Sequence, residues 1–190
     1  MKIVRVRTDE GIVYGAVEPE GIRLYQGSPL FEWESTEVVA PFESVQLLSP
    51  VFPTKVLAIG KNYADHAAEM GSDTPDSPIL FMKPATSVIG PGAPIVMPPD
   101  SMDVHHEGEV AVVIGSVARN VRAENAASVI LGYTAANDVT ARDLQRVDGQ
   151  WTRAKGYDTF CPLGPAIETE FDPLAGAEVI CRVNGEIKQA

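Results

Sequence analysis

A short apolar run preceded by two glutamates constrains this chain more than any other feature. Residues 110–114 read Val-Ala-Val-Val-Ile, which is mostly β-branched and closed by Gly115. This pattern predicts a buried strand. Glu107 and Glu109 stand just before it. Because side chains two residues apart on a strand point to the same face, both carboxylates are predicted to share one side of a sheet.

Two ionised carboxylates that lie close together and partly out of water repel each other. A shared proton, a basic side chain or a metal ion would each offset that repulsion. All-oxygen ligand sets suit Mg²⁺, Mn²⁺ or Ca²⁺. The alternative is a strand whose first residues, Glu107 and Glu109, emerge into solvent and simply carry charge.

Composition excludes several classes of protein. The 190-residue chain carries a net charge of -11, which makes nucleic acid and anionic membrane surfaces poor partners. No apolar run is long enough to span a bilayer, and no signal peptide opens the sequence. The two cysteines, Cys161 and Cys181, make no disulfide framework. We therefore predict a cytoplasmic protein with no membrane or nucleic-acid partner.

The first fifty residues predict a small antiparallel β domain. Turn signals separate short segments in which polar and apolar residues alternate. These segments are residues 2–7, 13–18 and 22–25. Residues 31–42 show no clear period. The proline-punctuated residues 50–53 mark a predicted domain boundary, which gives a β domain at 1–50 and a catalytic domain at 51–190.

The second domain opens with two predicted strands, at residues 55–60 and 78–83. Between them, residues 62–71 predict a short helix. His66 and Glu69 are three residues apart on one face of that helix, and a carboxylate beside an imidazole is the arrangement that a general base needs. An incidental exposed pair is the alternative.

Further along, residues 122–128 predict a short helix and residues 129–136 another strand. Asn184-Gly185 is a strong type I′ hairpin signal. Because the sequence stops in the return strand of that hairpin, we expect the natural protein to continue beyond Ala190.

Three further residues complete the candidates for chemistry. Asp138 follows a strand end and could join Glu107 and Glu109, or cap the turn that begins after it. Lys155 precedes a glycine and either reaches a ligand or is solvated, as most lysines are. His105 alternates onto the face of the two glutamates, so a zinc site is a second reading.

Four separated segments together resemble the fumarylacetoacetate hydrolase family, in particular its smaller members. Those members include acylpyruvases, oxaloacetate decarboxylases and hydroxyheptadienedioate isomerases. The segments are residues 60–70, 107–115, 137–145 and 154–162. The resemblance implies an α+β fold, a mixed β-sandwich roll with a small N-terminal β domain. Family members continue through a Thr-Gly-Thr-Pro-x-Gly segment that this chain lacks, so the roll is expected to be C-terminally incomplete.

The resemblance also implies roles for individual residues. A Mg²⁺ or Mn²⁺ ion would be held by three carboxylates, from Glu107, Glu109 and Asp138. Catalysis would fall to a lid dyad and a lysine, namely His66, Glu69 and Lys155. Substrate would be bound near Arg142 and Gln145. The expected assembly is a homodimer.

The implied reaction cleaves a C–C bond of a 2-oxo or 2,4-dioxo acid through a pyruvate enolate on the metal, by acylpyruvate hydrolysis or oxaloacetate decarboxylation. The alternatives are a hydroxyheptadienedioate isomerase and an oxaloacetate keto–enol tautomerase, which share that enolate. Two readings of another kind are a zinc hydrolase and a non-catalytic metal-binding fragment.

Overall fold

The structure, a computed structural model, describes residues 1–62 and 77–190. The predicted helix at residues 62–71, with His66 and Glu69, lies outside these residues except for Asn62. No helix in the described part of the chain is long and apolar enough to cross a membrane. Cys161 and Cys181 are both free thiols. A cytoplasmic location stays a prediction.

The N-terminal segment is the predicted meander with one strand more. Strands β1, β2 and β3 pair antiparallel in sequence, and β4 follows β3. The sequence pattern at residues 31–42 did not predict β4, because this strand lies at the sheet edge with half of its residues exposed and its register shifts opposite β3. The bounds are β1 Lys2–Thr8, β2 Gly11–Glu18, β3 Gly21–Gly27, β4 Trp33–Ala40 and β5 Gln46–Leu48, with a 3-10 turn at Phe42–Ser44.

The remaining strands extend that sheet and add small ones. Within the described residues the main sheet has the order β10-β11-β13-β1-β2-β3-β4, while β6 pairs with β7, β9 with β12 and β14 with β15. The bounds are β6 Val56–Gly60, β7 Ile79–Lys83, β8 Val88–Ile89, β9 Val104–His105, β10 Gly108–Ile114, β11 Ile130–Asn137, β12 Thr140–Ala141, β13 Cys161–Glu168, β14 Cys181–Val183 and β15 Glu186–Gln189.

The helical elements are short. Two α-helices follow β12, at Arg142–Val147 and Thr152–Gly156. The helix predicted at residues 122–128 is a 3-10 helix at Ala123–Val129. The hairpin prediction at Asn184-Gly185 is confirmed, since both residues have positive φ, at 52° and 84°.

Strand β10 differs from its prediction as a buried strand. It lies at the end of the main sheet, and Val112 and Ile114 are each about half exposed. Val113 faces the core beside Ile3 and Ile167. The apolar run therefore buries one face only, because it belongs to an antiparallel sheet that packs one face on the core and leaves the other exposed here.

A second core cluster supports the residues that follow β11. Val139 and Ala141 pack with Leu144, Ala154 and Phe160. Each fully buried apolar side chain of the larger kind stabilises the fold by about 1.5–3 kcal/mol. Since side chains alternate along an extended segment, burying residues 139 and 141 turns residues 138 and 140 to the opposite side.

Candidate active site

Lys155 is the centre of a buried polar cluster. It lies on the Thr152–Gly156 helix and only 2% of it is exposed. Its Nζ donates to Asp138 Oδ2 at 2.7 Å and to Thr140 Oγ1 at 2.7 Å, and it lies 3.2 Å from both carboxylate oxygens of Glu107. The reading of Lys155 as a solvated loop residue is therefore wrong.

A second buried lysine, which the sequence interpretation missed as a functional residue, holds the other side of Asp138. Lys83 ends β7, is 1% exposed, and its Nζ donates to Asp138 Oδ1 and to the Val139 carbonyl at 3.3 Å. Burial lowers the pKa of Lys83, and the attraction of Asp138 opposes that shift. The available signal was a lysine closing an otherwise apolar strand.

Backbone pairing between β10 and β11 brings Glu107 to Asp138. The Asp138 N–H donates to the Glu107 carbonyl at 2.8 Å, and the Glu107 N–H donates to Asn137 Oδ1 at 2.9 Å. The Thr140 hydroxyl lies 3.0 Å from Glu107 Oε1. Asp138 does not cap the following helix, whose N-cap position is Ala141 with no side-chain cap bond. The capping alternative for Asp138 is therefore wrong.

Arg142 and Gln145, the predicted substrate-binding residues, join the same cluster. One guanidinium nitrogen of Arg142 lies 2.6 Å from Glu107 Oε1, and another donates to Gln145 Oε1 at 2.8 Å. Only 13% of the Arg142 side chain is exposed. Helical spacing explains the pair, because residues three apart on a helix are neighbours.

Glu109 is the second residue of β10, where it pairs in register with Ala136. Among residues 1–62 and 77–190, no three acidic, histidine or cysteine side chains form a group that could hold a metal ion. His105, the residue of the zinc alternative, is more than half exposed, and its Nε2 lies 2.9 Å from Asp103. The convergence that the structure does show is that of Glu107 and Asp138 on Lys155.

Aromatic residues form one wall beside the cluster. The Lys155 ammonium lies over the Phe81 ring, 5.1 Å from the ring centroid. Phe81 meets Trp151 edge to face, with 5.7 Å between the ring centroids. Trp151 covers Gly60, where an added Cβ would collide with its ring. Strand β6 therefore ends against Trp151, which in turn contacts Phe81 beside the Lys155 ammonium. His66 and Glu69 lie outside the described residues.

Sequence comparisons identify the class of protein. Residues 55–190 match the fumarylacetoacetate hydrolase C-terminal family, and residues 1–50 match an N-terminal family named after protein Rv2993c. This chain therefore belongs to the fumarylacetoacetate hydrolase family, an enzyme family.

Individual members of the family are similar to this chain over most of its length. The chain is 45% identical over 202 residues to protein Rv2993c of Mycobacterium tuberculosis, covering 100% of this chain and 75% of the relative. It is 45% identical over 158 residues to human mitochondrial oxaloacetate tautomerase FAHD2B, covering 80% of this chain and 50% of the relative. A solved 5-carboxymethyl-2-hydroxymuconate delta-isomerase from Mycobacterium smegmatis is 44% identical, with a TM-score of 0.91, covering 100% of this chain and 74% of that one.

Proposed function

We propose that this chain binds Mg²⁺ or Mn²⁺ and catalyses keto–enol chemistry on a small 2-oxo acid such as oxaloacetate. The observation that carries this proposal is the buried convergence of Glu107, Asp138 and Lys155. The relatives named as an oxaloacetate tautomerase and as isomerases support tautomerisation or isomerisation as the reaction.

The chemistry of the donor set supports the proposed metal. Glu107 and Asp138 already direct carboxylate oxygens at one cation, the Lys155 ammonium. Glu109 follows Glu107 by two residues, at the start of β10. Oxygen donors of this kind are the ones that Mg²⁺ and Mn²⁺ prefer. These three carboxylates do not form a metal-binding group in the described residues as they stand, so the ion would have to draw them together. Once bound by them, it would supply Lewis-acid polarisation of the substrate's keto group.

The charge of the site suits a dianionic substrate, although the chain as a whole carries -11. Its three cations are Lys83, Lys155 and Arg142. The three proposed metal ligands balance them, so among the described residues a divalent ion would leave two positive charges for the substrate. A buried cluster of this sign attracts small dicarboxylates and offers neutral ligands no comparable attraction.

The residues then have distinct roles. Arg142, held by Gln145, would bind the substrate carboxylate with its planar fork. His66, oriented by Glu69, would remove the proton from C3 and return a proton in the reverse direction. The Lys155 ammonium, which lies beside the Glu107 carboxylate, would donate a hydrogen bond to the enolate oxygen and stabilise its negative charge.

C–C bond cleavage is the alternative reaction, because it also gives a 2-oxo acid enolate, formed by breaking a C–C bond instead of the C3–H bond. Oxaloacetate decarboxylation needs no hydrolytic water, whereas acylpyruvate hydrolysis needs a water activated by His66 and Glu69. The zinc hydrolase reading would require His105 to turn from Asp103. A non-catalytic metal-binding fragment predicts metal affinity without turnover.

The test follows the enol absorbance of oxaloacetate and of acetylpyruvate on the 190-residue chain, with Mg²⁺ and with a chelator. We expect chelator-sensitive acceleration of enol–keto conversion of oxaloacetate. Release of pyruvate at the same rate would identify cleavage instead. Retention of full activity in chelator, or metal binding with no turnover of either substrate, would contradict the proposed function.

We also propose a homodimer. Strands β6 and β7 expose a face of four apolar side chains, which is the kind of surface that a second copy covers. These are Leu57, Ile59, Leu80 and Met82. Replacing Leu80, which is 65% exposed, with glutamate is expected to convert the dimer into a monomer on light scattering. A wild-type monomer would contradict the proposal, and Val38→Glu, on exposed β4, is the matched control.

A further inference from the structure

The side chain of Gln189 binds the backbone of Gly108, the residue between Glu107 and Glu109. The Gly108 N–H donates to Gln189 Oε1 at 2.8 Å, and Gln189 Nε2 donates to the Gly108 carbonyl at 2.8 Å. One side-chain amide thus pairs with both backbone groups of a residue 81 positions away. It occupies the place that a neighbouring strand would take.

The sheet geometry explains why Gly108 needs such a partner. The Glu107 carbonyl accepts from the Asp138 N–H at 2.8 Å, so at this point β10 faces its neighbour through residue 107. Successive residues of an antiparallel strand direct their backbone groups to opposite sides. Gly108 therefore faces the side of β10 on which the described residues place no neighbouring strand, yet it is buried, and a buried backbone group without a partner is costly.

The hairpin of β14 and β15 closes over the same point. A Cβ at Gly108 would collide with Cys181 Sγ, which lies on β14, so this close approach requires glycine. Most of the hairpin, residues 182–188, is exposed. Gln189 is half-buried, and its two hydrogen bonds tie the hairpin to β10.

We infer that Gln189 is a positioning residue for Glu107 and Glu109. By holding the Gly108 N–H and the Gly108 carbonyl, it fixes the two peptide planes on either side of Gly108, and so the backbone from which both neighbouring carboxylates project. The inference rests on the proposed function, in which these carboxylates bind the metal. Gln189 itself contacts neither metal nor substrate and acts through Gly108.

The test replaces Gln189 with methionine, which keeps the length of the side chain and removes both hydrogen bonds. Two ordinary hydrogen bonds make us expect about tenfold weaker Mn²⁺ binding, measured by electron paramagnetic resonance. Hydrogen exchange of the Gly108 amide, measured without metal, is expected to be about tenfold faster. Lys188→Ala is the matched control, since the Lys188 ammonium bonds to Glu186 on the same exposed hairpin.

Wild-type Mn²⁺ affinity in Q189M, with unchanged Gly108 exchange, would overturn the inference while leaving the proposed function standing. If the wild-type chain binds no Mn²⁺, the proposed function fails and the inference fails with it. The wild-type measurement therefore separates failure of the proposed function from failure of the inference alone. Should Q189M not fold by circular dichroism, Gln189→Glu serves instead. Its carboxylate still accepts from the Gly108 N–H but cannot donate to the carbonyl, so weakened Mn²⁺ binding is again the expected result.

Discussion

Replacing Glu109 with alanine is expected to remove Mn²⁺ binding and catalysis together. Loss of a residue that hydrogen-bonds to a metal ligand typically lowers metal affinity about 10–100-fold. Loss of a proposed ligand itself should therefore lower Mn²⁺ affinity at least about a hundredfold. Isothermal titration with Mn²⁺ and the oxaloacetate enol assay measure the two effects on the same preparation. Glu109→Gln, which keeps the shape of the side chain, should behave like the alanine variant.

The matched control for this prediction is Glu43→Ala, which removes a carboxylate from an exposed 3-10 turn. It should leave both measurements unchanged. An E109A chain that binds Mn²⁺ as the wild type does would remove Glu109 from the proposed ligand set. If it bound metal normally but lost activity, Glu109 would act on the substrate instead.

Replacing Lys83 with methionine is expected to destabilise the fold as well as the site. Methionine fills the same space but leaves Asp138 without its partner on Oδ1. Removing one member of a buried ion pair costs about 3–5 kcal/mol, and the lower end applies because Asp138 keeps Lys155. In a chain of this size about 3 kcal/mol lowers the Tm by about 6–12 °C, which calorimetry measures.

Lys55→Met is the control for this variant, because Lys55 is exposed and lies just before β6. Its Tm should stay within about 1 °C of the wild type. An equally small change in K83M would show that the Lys83–Asp138 pair adds no stability. Enolisation by K83M is expected to fall as well, since Asp138 would lose the contact that orients one of its oxygens.

Local patterns predicted much of the secondary structure. Alternation gave β1, β2 and β3, and the Asn184-Gly185 turn gave the final hairpin, because each depends on residues close in sequence. Edge position could not be read in this way. The apolar run at residues 110–114 looks the same whether a strand is central or, as β10 is, terminal in its sheet.

The cluster was partly predictable for a similar reason. Asp138, Lys155 and Arg142 carried local signals or family resemblance, and the structure brings them together with Glu107. Lys83 had only the weak signal of a charged residue ending an apolar strand. Its contact with Asp138 joins residues 55 positions apart, which depends on how β7 packs against the segment after β11.

Gln189 shows the limit of sequence reasoning more clearly. The sequence places it only in the return strand of a hairpin, and the three residues before it in that strand are exposed in the structure. Its role follows from the side of β10 that Gly108 faces, where the described residues place no neighbouring strand, and this is known only once the sheet order is known. Long-range pairings of this kind leave no periodicity in a single sequence.

The central claim is that this chain enolises a 2-oxo acid in a metal-dependent manner, and hydrogen–deuterium exchange at C3 tests it most directly. The measurement follows loss of the C3 proton signal of oxaloacetate in D₂O by nuclear magnetic resonance, with Mg²⁺ and with a chelator. Removal of the C3 proton is the step that tautomerisation and isomerisation share, whereas cleavage would instead place deuterium in the methyl group of pyruvate. Enzyme-accelerated exchange that the chelator abolishes is the predicted result. Exchange at the uncatalysed rate in the presence of Mg²⁺ would contradict the account.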